Sequence, residues 1–309
     1  MTRLSGEAAV PPHLRGAIVA LGNFDGFHLG HQAVVGAAVA RARAEGRPAI
    51  VATFDPHPAR HFVADAAPFR LTTLDQREAL FAAAGADAMM VYHFDAALAA
   101  LDARAFVAER LVALAGVGGV VTGGDFTFGR KRGGDVATLA ALGAELGFSA
   151  DIAPAVEDAG GLVSSTRIRA ALQAGDPREA ARLLTRSFAI RGTVVHGDKL
   201  GRTIGYPTAN VELGSYVRPA YGIYAVRVTL PDGRVVGGAA NLGIRPSFDP
   251  PKELLEPYLF DFAGDLYGQE IEVALIDFIR PEARFDGLDA LTRQMAEDCE
   301  RARLLLSAA

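Results

Sequence analysis

The chain has 309 residues, which is long for one compact core and suits two domains. Half of the residues are hydrophobic and 22% are charged, so the chain can bury a sizeable core and is neither disordered nor a coiled coil. The formal net charge of -5 argues against a broad nucleic-acid-binding surface, and no apolar run approaches the roughly 20 residues of a membrane span.

Cys299 is the single cysteine, so an internal disulfide cannot form, which suits a reducing compartment. The N-terminal segment lacks the basic and then apolar pattern of a signal peptide. These features predict a cytoplasmic protein that is not attached to a membrane. Small nucleotides remain possible ligands, because a few local cations and helix ends can hold them.

Apolar runs alternate with helix-prone segments in the first half of the chain. The stretch at 31–45 is alanine-rich and stops at Gly46, which predicts a helix, and a second helix is predicted at 75–84. Strands separated by helices indicate right-handed βαβ units and a Rossmann-like, doubly wound parallel sheet. Four runs have the composition of buried parallel strands: residues 16–21, 49–54, 88–92 and 117–122.

The pattern changes after about Leu184. Residues 226–230 and 270–275 alternate polar with apolar, which is the period of half-buried strands, and the Pro-Asp-Gly at 231–233 predicts a hairpin turn. Short strands with tight turns indicate an antiparallel sheet or a small barrel, and the apolar residues from 288 to 302 recur at helical spacing. We therefore predict two domains, residues 1–184 and 185–309.

His28 and His31 lie where the first predicted strand is followed by the first predicted helix. This arrangement places helix N-terminal amides in front of a ligand at the carboxyl end of the strand. The histidines are three residues apart and face the same side of the first turn, while Gly30 lets a phosphate approach the backbone. Two imidazoles suit the charge that builds on an α-phosphate as pyrophosphate leaves. Taken alone, the pair could equally serve as a helix cap or in the core.

Other segments follow strand ends or precede a helix. SSTRIR at 164–169 supplies hydroxyl caps and cations to a helix start, although a plain N-cap with exposed arginines has the same pattern. GDFTFG at 124–129 and TFDPHP at 53–58 each follow a predicted strand, at the sheet edge where ligands bind. His57 taken alone is typical of a structural loop histidine.

A second candidate site lies in the latter half. The glycines between residues 192 and 205 permit a loop that wraps a phosphate with its amides. Thr208 and Asn210 are two residues apart, so an extended backbone could direct both oxygens at Mg²⁺, although an ordinary turn would also explain them. Glu256 is on a predicted strand and could accept a hydroxyl proton during phosphoryl transfer, although most glutamates are solvated surface groups.

The first half resembles the flavin adenylyltransferase module of bacterial bifunctional riboflavin kinase/FAD synthetases, within the nucleotidyltransferase superfamily. The resemblance rests on four motifs in family order: GNFDGFHLGH at 22–31, TFDPHP at 53–58, GDFTFG at 124–129 and SSTRIR at 164–169. It implies that His28 and His31 act on the ATP phosphates and that Asp55, His57 and Asp125 lie near the flavin. The implied ATP contacts are Gly22, Phe24, His28, His31, Ser165, Thr166 and Arg169.

The second half resembles the riboflavin kinase module of the same family. The motifs are GYPTAN at 205–210, NLGIRPS at 241–247, EPYLFDF at 256–262 and DLYG at 265–268. The resemblance implies a six-stranded barrel with a C-terminal helix, Mg²⁺ at Thr208 and Asn210, Glu256 as catalytic base, and flavin contacts from Arg245 and Glu256. The implied nucleotide contacts are Gly197, Lys199, Gly201, Thr208 and Asn210.

The two resemblances cover residues 18–303 and predict an enzyme with two activities. Riboflavin and ATP would give FMN and ADP, and FMN with a second ATP would give FAD and pyrophosphate. The alternatives are a chain with one working module, and a flavin- or nucleotide-sensing protein that has lost catalysis. The second alternative is weakened because all five principal site residues are present: His28, His31, Thr208, Asn210 and Glu256. A dehydrogenase and a P-loop kinase are disfavoured because their glycine motifs do not occur where they would be needed.

Overall fold

The computed structural model describes residues 1–61, 67–196, 205–245 and 252–308. The chain divides into two compact units with different architectures. The first unit consists of Met1–Ala67 and Thr72–Ser164, and the second of Pro68–Leu71 and Ser165–Ala309.

A six-stranded sheet, with strand order β1-β4-β3-β2-β5-β6, forms the centre of the first unit. Every neighbouring pair is parallel, so the predicted parallel sheet is confirmed. A small antiparallel hairpin of β7 and β8 follows it. The strands are β1 (Thr2–Ser5), β2 (Ile18–Leu21), β3 (Ala49–Asp55), β4 (Ala88–His93), β5 (Gly119–Gly123), β6 (Ser149–Ala153), β7 (Glu157–Asp158) and β8 (Gly161–Leu162).

Helices cover both faces of this sheet, as a doubly wound fold requires. Alternate residues of β2 belong to different cores: Ile18 packs on the side of Val35, and Val19 on the side of Leu111. The helices are α1 (Leu29–Glu45), α2 (Pro58–His61), α3 (Leu74–Ala83), α4 (Ala96–Ala100), α5 (Ala103–Ala105), the π-helical segment Phe106–Ala115 and α6 (Val136–Leu146).

Local capping explains where the two helices predicted in the first half begin and where the first of them ends. The first, α1, begins at Leu29, two residues before the predicted start, because His28 caps it, and it ends before Gly46, whose φ is 64°. The second, α3, begins with a capping box in which Thr73 and Gln76 exchange hydrogen bonds.

The second unit contains a closed antiparallel barrel with strand order β10-β13-β12-β11-β14-β9, which confirms the expected six strands. Leu242 and Leu255 are paired and buried, and strand alternation turns their neighbours Asn241 and Glu256 to the outer face. The strands are β9 (Phe188–Val195), β10 (Asn210–Glu212), β11 (Gly222–Thr229), β12 (Val235–Arg245), β13 (Lys252–Leu259) and β14 (Glu270–Pro281).

Within the described part of the second unit, three helices accompany the barrel: α7 (Ser165–Gln173), α8 (Pro177–Leu184) and α9 (Leu288–Ser307). The last is the predicted C-terminal helix, and its Ala302 packs against Ala225, Ala239 and Phe260 on the outside of the barrel. The predicted hairpin turn is also confirmed, since the Gly233 N–H donates to Leu230 O at 2.9 Å with Gly233 at φ 85°.

Candidate active sites

The first candidate site lies where β2 is followed by α1. His28 is the N-cap residue of α1, and its Nδ1 accepts a hydrogen bond from the Gly30 N–H at 3.2 Å. Because Nδ1 is an acceptor, the neutral ring carries its proton on Nε2. The His31 ring stacks on the His28 ring with centroids 3.6 Å apart, which confirms that both face one side of the helix start. His28 therefore combines the capping role with a place in the predicted pair.

Two glycines make room for the rings of this loop. A Cβ on Gly22 would lie 3.0 Å from Phe24 Cζ, and a Cβ on Gly30 would lie 3.1 Å from His28 Cε1. The Phe24 side chain is buried, and its ring meets the His31 ring edge-on at 5.3 Å. Phe24 thus supports the histidine pair from the core, so a contact of this residue with ATP would come from its backbone. Gly30, predicted to admit a phosphate, also accommodates the capping ring.

A buried arginine that the sequence interpretation missed ties this loop to the neighbouring strand. Arg77 of α3 has a side-chain exposure of 3%, and its Nη1 donates to Asn23 O at 3.2 Å and to Thr53 Oγ1 at 2.9 Å. Its Nη2 lies 3.4 Å from Asp55 Oδ1. A guanidinium presents donors in a rigid fork, so one side chain fixes the loop after β2 and the end of β3 together.

A second tether holds the same loop on another side. Asp25 is buried, and its Oδ1 accepts hydrogen bonds from the Thr72 N–H at 3.0 Å and from Thr72 Oγ1 at 3.2 Å. Thr72 Oγ1 in turn accepts from the Gly26 N–H at 2.9 Å. The loop that precedes His28 is therefore positioned by contacts from two distant segments of the chain.

The three residues predicted to lie near the flavin follow neighbouring strands. Asp55 is the last residue of β3, His57 lies two residues beyond it, and Asp125 follows β5, which ends at Gly123. Since β3, β2 and β5 are adjacent and parallel, all three lie at the same sheet edge as His28. His57 Nδ1 accepts from the Ala59 N–H at 3.2 Å, so this histidine also has the structural loop role that its isolated pattern suggested.

The residues expected to hold the triphosphate from a second helix are in the first turns of α7, which belongs to the second unit. These are Ser165, Thr166 and Arg169. Arg169 Nε donates to Phe69 O at 2.7 Å, and its guanidinium carbon lies 5.0 Å from the centroid of the Phe69 ring. The Arg169 side chain is thus held in a defined position within its own unit.

The second candidate site is a row of polar side chains across three strands of the barrel. Asn241 of β12 is paired directly with Glu256 of β13. On the other side, the register that pairs Val211 with Leu255 and Thr208 with Tyr258 puts Asn210 level with Glu256. Residues opposite each other in adjacent antiparallel strands project from the same face. The structure therefore brings the predicted residues Asn210 and Glu256 together and adds Asn241, which was not singled out.

Glu256 is held by Arg245, the other residue predicted to contact the flavin. Arg245 Nε lies 2.5 Å from Glu256 Oε2, and Arg245 Nη2 bonds the same oxygen. Arg245 Nη1 also lies 3.3 Å from Glu282 Oε1. Burial lowers the pKa of Arg245, but its hydrogen bond to Glu256 and the two nearby carboxylates overcome that effect and raise the pKa, so the guanidinium stays charged.

Three predicted nucleotide contacts of this site, Gly197, Lys199 and Gly201, lie outside the residues that the structure describes. Thr208 and Asn210 are within it. The Thr208 backbone bridges to Tyr258, and Asn210 is 6% exposed at the start of β10.

Comparisons with known families match the two units of the fold. Residues 10–167 match the family described as FAD synthetase, and residues 184–306 match the family described as riboflavin kinase. The two matches fall on a parallel sheet with a histidine pair at a helix start and on a barrel with a row of polar side chains on its outer face, and together they make the chain a flavin nucleotide enzyme.

Curated relatives carry both domains in one chain. The bifunctional riboflavin kinase/FMN adenylyltransferase of Escherichia coli strain K12 is 41% identical over 93% of this chain and 92% of its own length. Those of Haemophilus influenzae and Bacillus subtilis are 39% and 37% identical, covering 94% and 93% of this chain and 94% and 91% of their own lengths. The chain belongs to the family of bifunctional riboflavin kinase/FMN adenylyltransferases. It is an enzyme that converts riboflavin to FMN and then FMN to FAD, with ATP as co-substrate in both steps.

A solved structure of a Streptococcus pneumoniae protein has the same fold over nearly the whole chain. It has a TM-score of 0.87 and 32% identity and covers 98% of this chain and 99% of its own, and it is described as a macrolide-efflux protein. In the part of this chain that the structure describes, no helix is long and apolar enough to cross a membrane. The similarity to this protein is one of fold.

Proposed function

We propose that riboflavin phosphorylation takes place at the outer face of β10, β13 and β12, with Glu256 as the catalytic base. The register that aligns Asn210, Glu256 and Asn241 is the observation that carries this proposal. Both contacts that Arg245 makes to Glu256 are to the same carboxylate oxygen, Oε2. The other oxygen, Oε1, is then the one that accepts the proton of the riboflavin hydroxyl as that hydroxyl attacks the γ-phosphorus of ATP.

We further propose that Thr208 and Asn210 hold Mg²⁺ at this site. The donor set fits the ion, because a threonine hydroxyl and a carboxamide oxygen are hard ligands of the kind that Mg²⁺ shares with phosphates and water. Among the described residues no group of three His, Cys, Asp or Glu side chains could hold a metal by itself, so the nucleotide phosphates would complete the coordination. Bound there, the ion would neutralise charge on the β- and γ-phosphates. The proposed nucleotide contacts Gly197, Lys199 and Gly201 precede this segment in sequence.

For the second step, we assign the adenylyl transfer to the edge of the parallel sheet. His28 donates from Nε2 to the α-phosphate of ATP as pyrophosphate leaves, and His31 stacks on it and supports the same charge. The first-turn amides of α1 add a modest favourable field. Asp55, His57 and Asp125 would line the flavin side, and Ser165, Thr166 and Arg169 would hold the triphosphate.

The proposed domain boundary lies between residues 184 and 185. The start of the riboflavin kinase match at residue 184 supports this boundary. Helices α7 and α8 belong to the same compact unit as the barrel, so they would be a structural part of the kinase half. A cytoplasmic location is also proposed, on the ground that the single Cys299 needs no oxidising compartment.

Replacing Glu256 tests the kinase assignment. Glu256→Gln keeps the shape of the side chain and removes the proton acceptor, so riboflavin kinase turnover should fall by roughly 10² to 10⁴, the usual range for a general base. Formation of FAD from supplied FMN should be unchanged. The lost charge in the Arg245–Glu256 pair should lower the melting temperature, so turnover is compared at a temperature at which this variant and its control are both folded. Glu212→Gln is the matched control, since Glu212 is an exposed glutamate of β10 that pairs with Lys252. Near-normal turnover of the Glu256 variant would eliminate the base assignment.

A further inference from the structure

The carboxamide of Asn241 is the one member of the barrel row for which the proposed chemistry gives no role. Its Oδ1 is buried, and no hydrogen-bond donor in the described part of the chain reaches it. A buried carbonyl oxygen without a donor is costly, and such atoms in native proteins are uncommon. A donor supplied by a ligand would satisfy it.

Asn241 occupies a defined place relative to the proposed base. Strand order β10-β13-β12 puts Glu256 in the middle of the row, Asn210 on one side and Asn241 on the other. Neighbouring strands are about 4.8 Å apart, so each asparagine is roughly one strand spacing from the base. Both distances are within reach of a single extended substrate.

The direction of phosphoryl transfer distinguishes the two sides of the base. In this reaction the attacking oxygen, the phosphorus and the leaving oxygen are roughly in line. The proposed metal ligands Thr208 and Asn210 therefore mark the side of the phosphates. The remainder of the alcohol must extend to the opposite side, where Asn241 and Arg245 of β12 are located.

We propose that Asn241 Oδ1 accepts a hydrogen bond from the polyol chain of riboflavin, from the hydroxyl next to the one that is phosphorylated. The inference rests on the proposed role of Glu256 and extends it, because it names the group that orients the alcohol. A polyol has donors at successive carbons, so a second hydroxyl is available one carbon from the reacting oxygen. Asn241 would thereby discriminate the flavin carrying a hydroxylated chain from flavins that lack one.

Kinase kinetics on the full chain test this proposal, because the sum of FMN and FAD formed from riboflavin reports on the kinase step alone. Asn241→Leu removes the acceptor at similar volume. We expect the KM for riboflavin to rise about 10- to 100-fold, the loss typical of one buried hydrogen bond, while the KM for MgATP is unchanged. Lumiflavin has the same ring system and a methyl group in place of the polyol. Its inhibition constant against riboflavin should be the same for wild type and variant.

A change of substrate provides an independent test of the same hydrogen bond. In the wild type, a riboflavin analogue without the adjacent hydroxyl should show the same increase in KM as the variant shows with riboflavin. In Asn241→Leu the analogue should have the same KM as riboflavin, because the hydrogen-bond acceptor is already absent from the protein. If the wild type does not distinguish the two flavins, the proposal is wrong even if the variant fails to fold.

Other outcomes would also contradict the proposal. A parallel rise in the lumiflavin inhibition constant would mean that Asn241 shapes the ring pocket, and a rise in the KM for MgATP would place it on the nucleotide side. The Glu256→Gln variant is measured in the same assays. Its turnover decides the base assignment, whereas the riboflavin-to-lumiflavin comparison decides the role of Asn241, so either can fail alone.

Discussion

Arg245 and Glu256, eleven residues apart on adjacent strands, form a salt bridge in which two guanidinium nitrogens contact one carboxylate oxygen. The side chains are only 20% and 18% exposed, so this contact is screened less than a surface ion pair. The two charge-assisted hydrogen bonds fix the position of Oε2, and Oε1 takes part in neither of them. In the proposed kinase site this arrangement orients Glu256 toward the riboflavin hydroxyl.

Removing the guanidinium should therefore impair the kinase. Arg245→Met keeps much of the side-chain length but leaves Glu256 without its partner, so we expect riboflavin kinase turnover to fall at least 10-fold. Formation of FAD from FMN should be unaffected. Glu282→Gln is the matched control, because Glu282 contacts the same guanidinium at 3.3 Å but is 39% exposed, and it should change turnover less than 3-fold, in keeping with a weak surface pair. If both substitutions reduced turnover equally, kinase activity would not depend specifically on the contact between Arg245 and Glu256.

Arg77 offers the corresponding test in the first unit. Arg77→Lys keeps the charge but cannot bind Asn23 O, Thr53 Oγ1 and Asp55 together, because an ammonium lacks the planar fork. We expect FAD formation to fall 10-fold or more with an increased KM for FMN, since Asp55 and the loop before His28 lose their common anchor. Riboflavin kinase activity of the same preparation is the internal control. A proportional loss of both activities would indicate general unfolding instead.

Whether a structural feature could be predicted from the sequence depends on how far apart along the chain its interacting residues lie. The strand β2, the helix α1 and the turn at Gly233 were predictable because short-range patterns and capping residues determine them. The stacking of His28 on His31 follows from helical spacing. In contrast, Arg77 contacts residues 22 to 54 positions away, and nothing in the sequence near Arg77 distinguishes it from a surface arginine of a helix.

The row of Asn210, Glu256 and Asn241 on the barrel shows the same limit of sequence-based prediction. Motifs drew attention to Asn210 and Glu256, but their alignment depends on the register of β10 with β13, and a shift of one residue would turn them to opposite faces. Asn241 belongs to the NLGIRPS motif, yet its position beside Glu256 depends on the pairing of β12 with β13. The π-helical geometry of Phe106–Ala115 was likewise not predictable, because an ordinary helix has the same apolar composition.

Truncation tests the proposed boundary at residue 184. A fragment of residues 185–309 should fold and phosphorylate riboflavin, since roughly 125 residues is a common domain size. A longer fragment, residues 165–309, retains α8, whose buried Leu183 and Leu184 are part of the second unit. Burial of two leucines should make the longer fragment more stable by about 3 kcal/mol in chemical denaturation. An unfolded shorter fragment by circular dichroism would place the boundary nearer residue 165.

The contact between α9 and the barrel can be tested through Asp298. Its side chain is 6% exposed and receives hydrogen bonds from Arg280 Nε at 2.9 Å and Nη2 at 2.7 Å. Asp298→Asn removes the charge but keeps the shape, so the free energy of unfolding of the second unit should fall by about 1.5–3 kcal/mol, the usual contribution of a charged hydrogen bond. Glu300→Gln, an exposed change on the same helix, should leave stability within about 0.5 kcal/mol. Chemical denaturation of the two variants would show whether this ion pair anchors the helix.

The most direct test of two independent sites is the set of flavins that a His28 variant makes from riboflavin, ATP and Mg²⁺. His28→Asn is preferred to alanine, because asparagine is a good N-cap and preserves the start of α1 while it removes the Nε2 donor. His13→Ala, an exposed histidine of the same unit, is the control. Separation of the products by chromatography should show riboflavin consumed at the wild-type rate and accumulating as FMN, with FAD formation reduced by roughly 10² to 10³, the usual range for the loss of a charge-stabilising donor. Equal loss of FMN and FAD in a folded variant, or undiminished FAD, would contradict the assignment of the two steps to separate sites.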